Sequence, residues 1–140
     1  MCGIAAAFGK ASEARTRVGK MLKVIGHRGP DESGVLSLGG SILGHARLSI
    51  IDIEAGRQPI INESGELAIS FNGEIYNFKK LKGELGAQHR FSTRTDTEVI
   101  LHMFEERRED TLPLLDGMFA FVVAGREGFI AARDPLGIKP

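Results

Sequence analysis

The chain has 140 residues, 42% of them hydrophobic and 26% charged, with 18 basic residues balanced by 18 acidic ones. That length and balance suit one globular domain, exclude a disordered or fibrous chain, and exclude attraction to nucleic acid or an anionic membrane through bulk charge. No apolar run approaches the roughly 20 residues a bilayer crossing needs, and no basic stretch followed by a long apolar one opens the chain, so a cytoplasmic protein with neither a nucleic-acid nor a membrane partner is expected.

In chain order, residues 2–9 form a short apolar run closed by glycine, which predicts a buried strand. The single cysteine, Cys2, stands at its start, so no disulfide can form within the chain. Ser12 is expected to cap a helix whose apolar positions Ala14, Val18, Met21, Leu22 and Ile25 recur at helical spacing, with Gly26 as its stop. Residues 27–34 are turn formers and predict a loop. Residues 35–38 and 41–48 flank Gly39-Gly40 and predict a hairpin. Residues 67–71 alternate as a strand and run into Asn72-Gly73. Thr95 followed by Glu98 reads as a capping box, and Val99, Ile100, Met103 and Phe104 give the helix after it an apolar stripe. Residues 119–124 and 129–132 predict a second hairpin across 125–128. Strands at both ends with helices between them imply a layered α+β domain. The chain stops directly after a strand-like segment, so it is expected to be truncated at its C-terminus.

Few residues carry chemistry. Removal of Met1 would leave the Cys2 thiol beside a free α-amine, whose pKa of about 7.7–8.0 lets it take the thiol proton near neutrality. The alternative is a small core hydrophobe. Asn72-Gly73 is a strong hairpin signal, while an asparagine amide beside a glycine N–H also suits an oxyanion. Arg47, in a mostly apolar strand, reads as half of a structural ion pair or as a planar fork for a ligand carboxylate. Asp96 is favoured in a first helical turn by the helix dipole and would equally hold an ammonium. Arg28 and Asp31 read as a turn-bracing pair. His27, His45, His89 and His102 lack metal-ligand spacing, so no metal is expected.

Taken together, Met1-Cys2-Gly3-Ile4, His27-Arg28-Gly29-Pro30-Asp31, Ala46-Arg47-Leu48-Ser49-Ile50-Ile51-Asp52, Gln58-Pro59, Phe71-Asn72-Gly73-Glu74-Ile75-Tyr76-Asn77, Asp96-Thr97-Glu98-Val99-Ile100, Gly117-Met118-Phe119-Ala120-Phe121 and Arg133-Asp134-Pro135-Leu136-Gly137-Ile138-Lys139-Pro140 closely resemble the class II glutamine amidotransferase domain of glutamine-hydrolysing asparagine synthetases. The resemblance implies a four-layer αββα N-terminal-nucleophile hydrolase fold of antiparallel sheets. It implies that Cys2 attacks the glutamine side-chain amide with its own α-amine as base, and that Asn72 and Gly73 hold the oxyanion. Arg47 would bind the substrate carboxylate and Asp96 its ammonium, with Leu48, Ile51 and Glu74 also at the substrate and Arg28 and Asp31 in a supporting loop. The family often carries glycine where Ala6 stands and a Gly-Ser pair where Arg94-Thr95 precede Asp96, so Arg94 is expected beside the pocket. No cofactor is expected for glutamine hydrolysis. ATP and Mg²⁺ would belong to a synthetase domain or subunit, the expected partner, because this chain holds no Ser-Gly-Gly-x-Asp-Ser phosphate loop. A sheet edge left open by truncation favours self-association, for example as a homodimer.

Overall fold

The computed structural model describes residues 1–9, 11–48, 56–126 and 128–140. Its elements are β1 (Gly3–Phe8), α1 (Ala11–Ile25), β2 (Glu32–Leu38), β3 (Ser41–Arg47), β4 (Ile60–Ile61), β5 (Leu67–Ile75), α2 (Phe78–Leu85), α3 (Asp96–Arg107), β6 (Gly117–Gly125) and β7 (Phe129–Arg133). The strands form two antiparallel sheets, ordered β1-β3-β2 and β4-β5-β6-β7.

Alternation along the strands builds the layers, because successive side chains leave opposite faces of a sheet. On β3, Ile42 and Ala46 meet Ala14, Val18 and Leu22 of α1. Leu43, on the other face, meets Ala68 of β5 and Ala124 of β6. The far face of the second sheet, with Ile69, Phe71, Phe121 and Val123, packs on Leu81 of α2 and on Val99, Ile100 and Met103 of α3. The result is helix, sheet, sheet, helix, the expected αββα order. No helix among the described residues is long and apolar enough to cross a membrane.

Several local expectations need correction. Asn72-Gly73 is not a hairpin turn: Asn72 pairs with Ala120 and Gly73 with Phe119, inside β5. Long-range pairing with β6 overrides the local turn preference. β2 begins at Glu32, within the expected 27–34 loop, because its pairing with β3 extends to Glu32 opposite Arg47. α1 begins at Ala11, ahead of the cap expected at Ser12. Met21 is 43% exposed, on the flank of the stripe formed by Ala14, Val18 and Leu22. Thr95 is the extended N-cap residue of α3, but its side chain makes no capping bond. Glu98 does not close a capping box either. Its carboxylate accepts the backbone N–H groups of Ser92 (2.7 Å) and Thr93 (2.6 Å) and both their hydroxyls. Burial alone would raise the Glu98 pKa; the nearby His102 and the hydrogen bonds from Ser92 and Thr93 outweigh it and hold the group at about 2. The short strand β4 and helix α2 escaped the sequence reading.

The interior between the sheets also holds a polar pair. His45 is fully buried, with Nδ1 3.0 Å from Ser70 Oγ, and that hydroxyl donates to the Gly44 carbonyl (3.1 Å). Nδ1 therefore carries the proton, and Nε2 has no partner among the described residues. Burial, helped by the nearby Arg47 charge, lowers the His45 pKa from 6.5 to about 4. The unfolded chain thus binds this proton more readily than the folded one. The contribution to stability is complete above about pH 6.5 and is lost as pH falls to about 4, a change of about 3 kcal/mol at 1.36 kcal/mol per unit. Urea unfolding at pH 7 and pH 4.5 should show a smaller acid loss for His45→Gln than for the unaltered chain. Equal losses would contradict this assignment.

Candidate active site

The site begins where the first strand meets the end of β3. Gly3 pairs with Ala46, which sets Cys2 beside Leu48. The Leu48 N–H donates to Cys2 Sγ at 3.4 Å, and the thiol faces the Leu48 carbonyl at 3.7 Å. Arg28, in a 3-10 turn after α1, donates Nε–H to the Cys2 carbonyl at 3.1 Å and so anchors the backbone of the nucleophile candidate. Gly29 lets this turn lie flush on β3, since a Cβ there would come within 2.1 Å of the Ala46 carbonyl. Asp31 is exposed; its backbone N–H donates to the Arg47 carbonyl at 3.1 Å. Neither Arg28 nor Asp31 is among the residues that line the cavity beside Cys2.

The opposite wall is the outer edge of β5. Phe119 on β6 donates its N–H to Asp134 Oδ2 (3.2 Å) and accepts the Asp134 N–H (2.8 Å), so both its backbone groups face away from β5. Gly73, its register partner, therefore belongs to a non-hydrogen-bonded pair and turns its N–H to the outer edge. The same parity holds on either side. The Phe71 N–H donates to Gln58 Oε1 at 2.7 Å, and the Ile75 N–H donates to Asp96 Oδ2 at 2.9 Å. Between these two engaged donors, the Gly73 N–H has no partner among the described residues. Glycine is required there for a second reason: a Cβ would come within 2.3 Å of the Met118 carbonyl.

These edges enclose a cavity of about 160 Å³, lined by Cys2, Arg47, Leu48, Asn72, Gly73 and Asp96, with the exposed Glu74 at its margin. Ile51 lies outside the described residues. Arg47, with a side chain 5% exposed, is 3.4 Å from Glu32, so the structural ion pair and the cavity position coexist. Asp96 opens α3. Burial, with a smaller push from Glu74, raises its pKa despite bonds from the Ile75, Thr97 and Asp96 N–H groups. A buried cation and a buried anion thus share one cavity with a thiol and an outward N–H. Arg94 is exposed, and Thr95 rather than Arg94 reaches the cavity wall.

Gln58 went unassigned from sequence. Its amide clamps Phe71 twice, accepting the N–H and donating Nε2–H to the carbonyl at 3.1 Å, and so fixes the strand edge that carries Gly73. Only the Gln58-Pro59 pair, as one shared segment, hinted at it. At the cavity mouth stands Met1, 56% exposed, with Sδ 3.7 Å from Lys139 Nζ. A larger recess of about 570 Å³, between α3 and the β6–β7 hairpin, shares no lining residue with this cavity.

Residues 1–140 match the glutamine amidotransferase domain family. A probable glutamine-hydrolysing asparagine synthetase of Dictyostelium discoideum is 44% identical over the whole chain, and a glutamine-hydrolysing asparagine synthetase of Arabidopsis thaliana is 45% identical. The chain spans 26% and 25% of those relatives' lengths. Among solved structures, an allosteric regulatory enzyme of purine biosynthesis superposes with a TM-score of 0.83 at 22% identity, over 100% of this chain and 38% of that one. Glutamine phosphoribosylpyrophosphate amidotransferase from B. subtilis gives 0.77 at 23% identity, over 99% and 38%. With the fold, the cavity and the family match in agreement, the chain belongs to the glutamine amidotransferase domain family.

Proposed function

We propose that the chain hydrolyses the side-chain amide of free glutamine to glutamate and ammonia. The observation that carries this reading is the convergence of Cys2, the outward Gly73 N–H, Asn72, Arg47 and Asp96 on one cavity. Once Met1 is removed, the α-amine of Cys2 takes the thiol proton, and Sγ attacks the amide carbon. The tetrahedral oxyanion receives hydrogen bonds from the Gly73 N–H and the Asn72 amide. Collapse expels ammonia, with the amine returning its proton to the leaving nitrogen. Water then cleaves the thioester, releasing glutamate and restoring the thiol.

Arg47 and Asp96 select the substrate. The α-carboxylate meets the guanidinium and the α-ammonium meets the carboxylate, two charges that a glutamine within a peptide lacks. Nucleophile, base and oxyanion donors all come from the chain, so this step draws on no cofactor. The relatives' names support asparagine synthesis as the fate of the ammonia, in a synthetase domain or subunit where ATP and Mg²⁺ activate the acceptor.

Glutamate release from glutamine, from N-acetylglutamine and from glutaminamide tests this reading. Both analogues should react poorly. Asp96→Asn keeps an acceptor for the Ile75 N–H but removes the charge, so KM for glutamine should rise about 10- to 100-fold, as expected for a charged hydrogen bond worth about 1.5–3 kcal/mol. Because Asp96 must be ionised to hold the ammonium and its pKa is raised, KM for glutamine should rise on acidification before an ordinary aspartate would titrate, a rise that Asp96→Asn should not show. Equal rates for the three compounds would refute the selection argument.

A further inference from the structure

On the far side of α3 from the sheet, two imidazoles and two carboxylates meet: Glu63, His89, His102 and Glu105 each bring one ligand atom within 4.8 Å of the others. His102 Nδ1 lies 2.8 Å from Glu105 Oε2 and 3.4 Å from Glu63 Oε2. His89 Nδ1 lies 3.3 Å from Glu63 Oε1 and 3.6 Å from Glu105 Oε2. A tetrahedral zinc with bonds of about 2.0–2.1 Å has ligand–ligand edges of about 3.3 Å, close to these nitrogen–oxygen separations, in which the two histidines face different oxygens of Glu63.

The surroundings favour the same assignment. Each imidazole turns Nε2 toward an outer carboxylate: His89 to Glu106 Oε1 at 3.1 Å, and His102 to Glu98 Oε1 at 3.8 Å. With a metal bound, a proton on His89 Nε2 facing Glu106 would leave Nδ1 to ligate, the carboxylate–histidine–metal arrangement, while the buried His102 Nε2 has no hydrogen-bond partner among the described residues. Glu98 is itself fixed by Ser92 and Thr93, and Glu105 Oε1 accepts from Asn62 Nδ2 at 2.6 Å. The two rings stack with centroids 4.5 Å apart, so both imidazoles face the same small space. Four carboxylates, Glu63, Glu98, Glu105 and Glu106, gather around the two imidazoles, a surrounding that favours a cation. The side chains of His102 and His89 are 0% and 7% exposed, while Glu63 at 35% leaves a route from solvent.

We propose that Glu63, His89, His102 and Glu105 form a structural zinc site. Four protein ligands close the coordination shell, which is the mark of a structural rather than a catalytic zinc. The ion joins the turn after β4, the 86–95 connection and α3. That connection leads directly into Asp96, so the ion would fix the segment that delivers the substrate-binding carboxylate. Spacing along the chain conceals the site because its ligands come from three separate segments.

The test uses the chain carrying Cys2→Ala, so that the terminal thiol supplies no ligand. Stripped of metal and titrated with Co²⁺, it should bind one equivalent, show the visible bands of a four-coordinate site, and lose them when Zn²⁺ is added. His89→Ala and Glu63→Gln should each weaken binding by more than about 100-fold, beyond the 10- to 100-fold typical of an outer-shell change, whereas Glu106→Gln should weaken it about 10-fold. Zn²⁺ should raise the melting temperature of the parent and not of these two ligand variants. Glu63 is partly exposed, so its variant carries the test even where His89→Ala folds poorly. No stoichiometric binding by the parent, or equal binding by Glu63→Gln, would overturn the proposal.

Discussion

Cys2→Ala should lower glutamate release from glutamine to the background rate, a loss on the order of 10⁶-fold, as when a covalent nucleophile is deleted elsewhere. The expectation rests on the placement of sulfur: Sγ lies on the cavity wall, held by the Leu48 N–H, with the Cys2 carbonyl pinned by Arg28. The Arg28 bond to the Cys2 carbonyl does not involve the sulfur, so Cys2→Ala should fold normally and still bind glutamine. Cys2→Ser is a sharper probe. Its hydroxyl occupies the same place but is far less acidic than a thiol near pKa 8.5, so the α-amine would generate too little nucleophile. Measurable binding with lost turnover in both proteins supports a covalent route. Unchanged turnover in either would remove it.

Asn72→Ala should reduce kcat by about 100- to 1,000-fold, with a much smaller change in KM, because the side-chain donor acts on charge that develops only in the transition state. Asn72 is buried at the cavity wall next to the Gly73 N–H, whose outward direction follows from the way Asp134 occupies both backbone groups of Phe119. In the proposed reaction these two neighbouring donors address one oxygen. An effect of only a few-fold would leave Asn72 as a strand residue without a part in the chemistry. A rise in KM with kcat unchanged would make it a substrate-binding group instead.

The contrast between these two residues shows what a linear reading can reach. Cys2 could be singled out because the proposed chemistry depends on its place in the chain, and it lies on the cavity wall. The stripe on α3 and the hairpins around Gly39-Gly40 and residues 125–128 were legible because periodicity and turn formers act over a few residues. Asn72-Gly73 looked locally like a turn, and only pairing with β6 made it strand. Glu98 had the spacing of a capping box yet reached Ser92 and Thr93, because a buried carboxylate takes whichever donors the preceding loop brings to it. Gln58 and Phe71, like His89 and His102, meet through tertiary packing, and no local pattern encodes such partners. Arg47 illustrates the remaining ambiguity: its pairing with Glu32 and its position on the cavity are both present, so the choice offered by sequence was not a choice.

Covalent capture addresses most directly whether Cys2 is the nucleophile of the cavity that Arg47 and Asp96 line. The chain, with its N-terminus first established by sequencing, is treated with 6-diazo-5-oxo-norleucine and mapped by peptide mass. A single adduct on an N-terminal Cys2, slowed by free glutamine and absent from Cys2→Ala, is the predicted result. A chain that starts at Cys2 and yet takes no label, or takes it equally at other residues with glutamine giving no protection, would contradict the account.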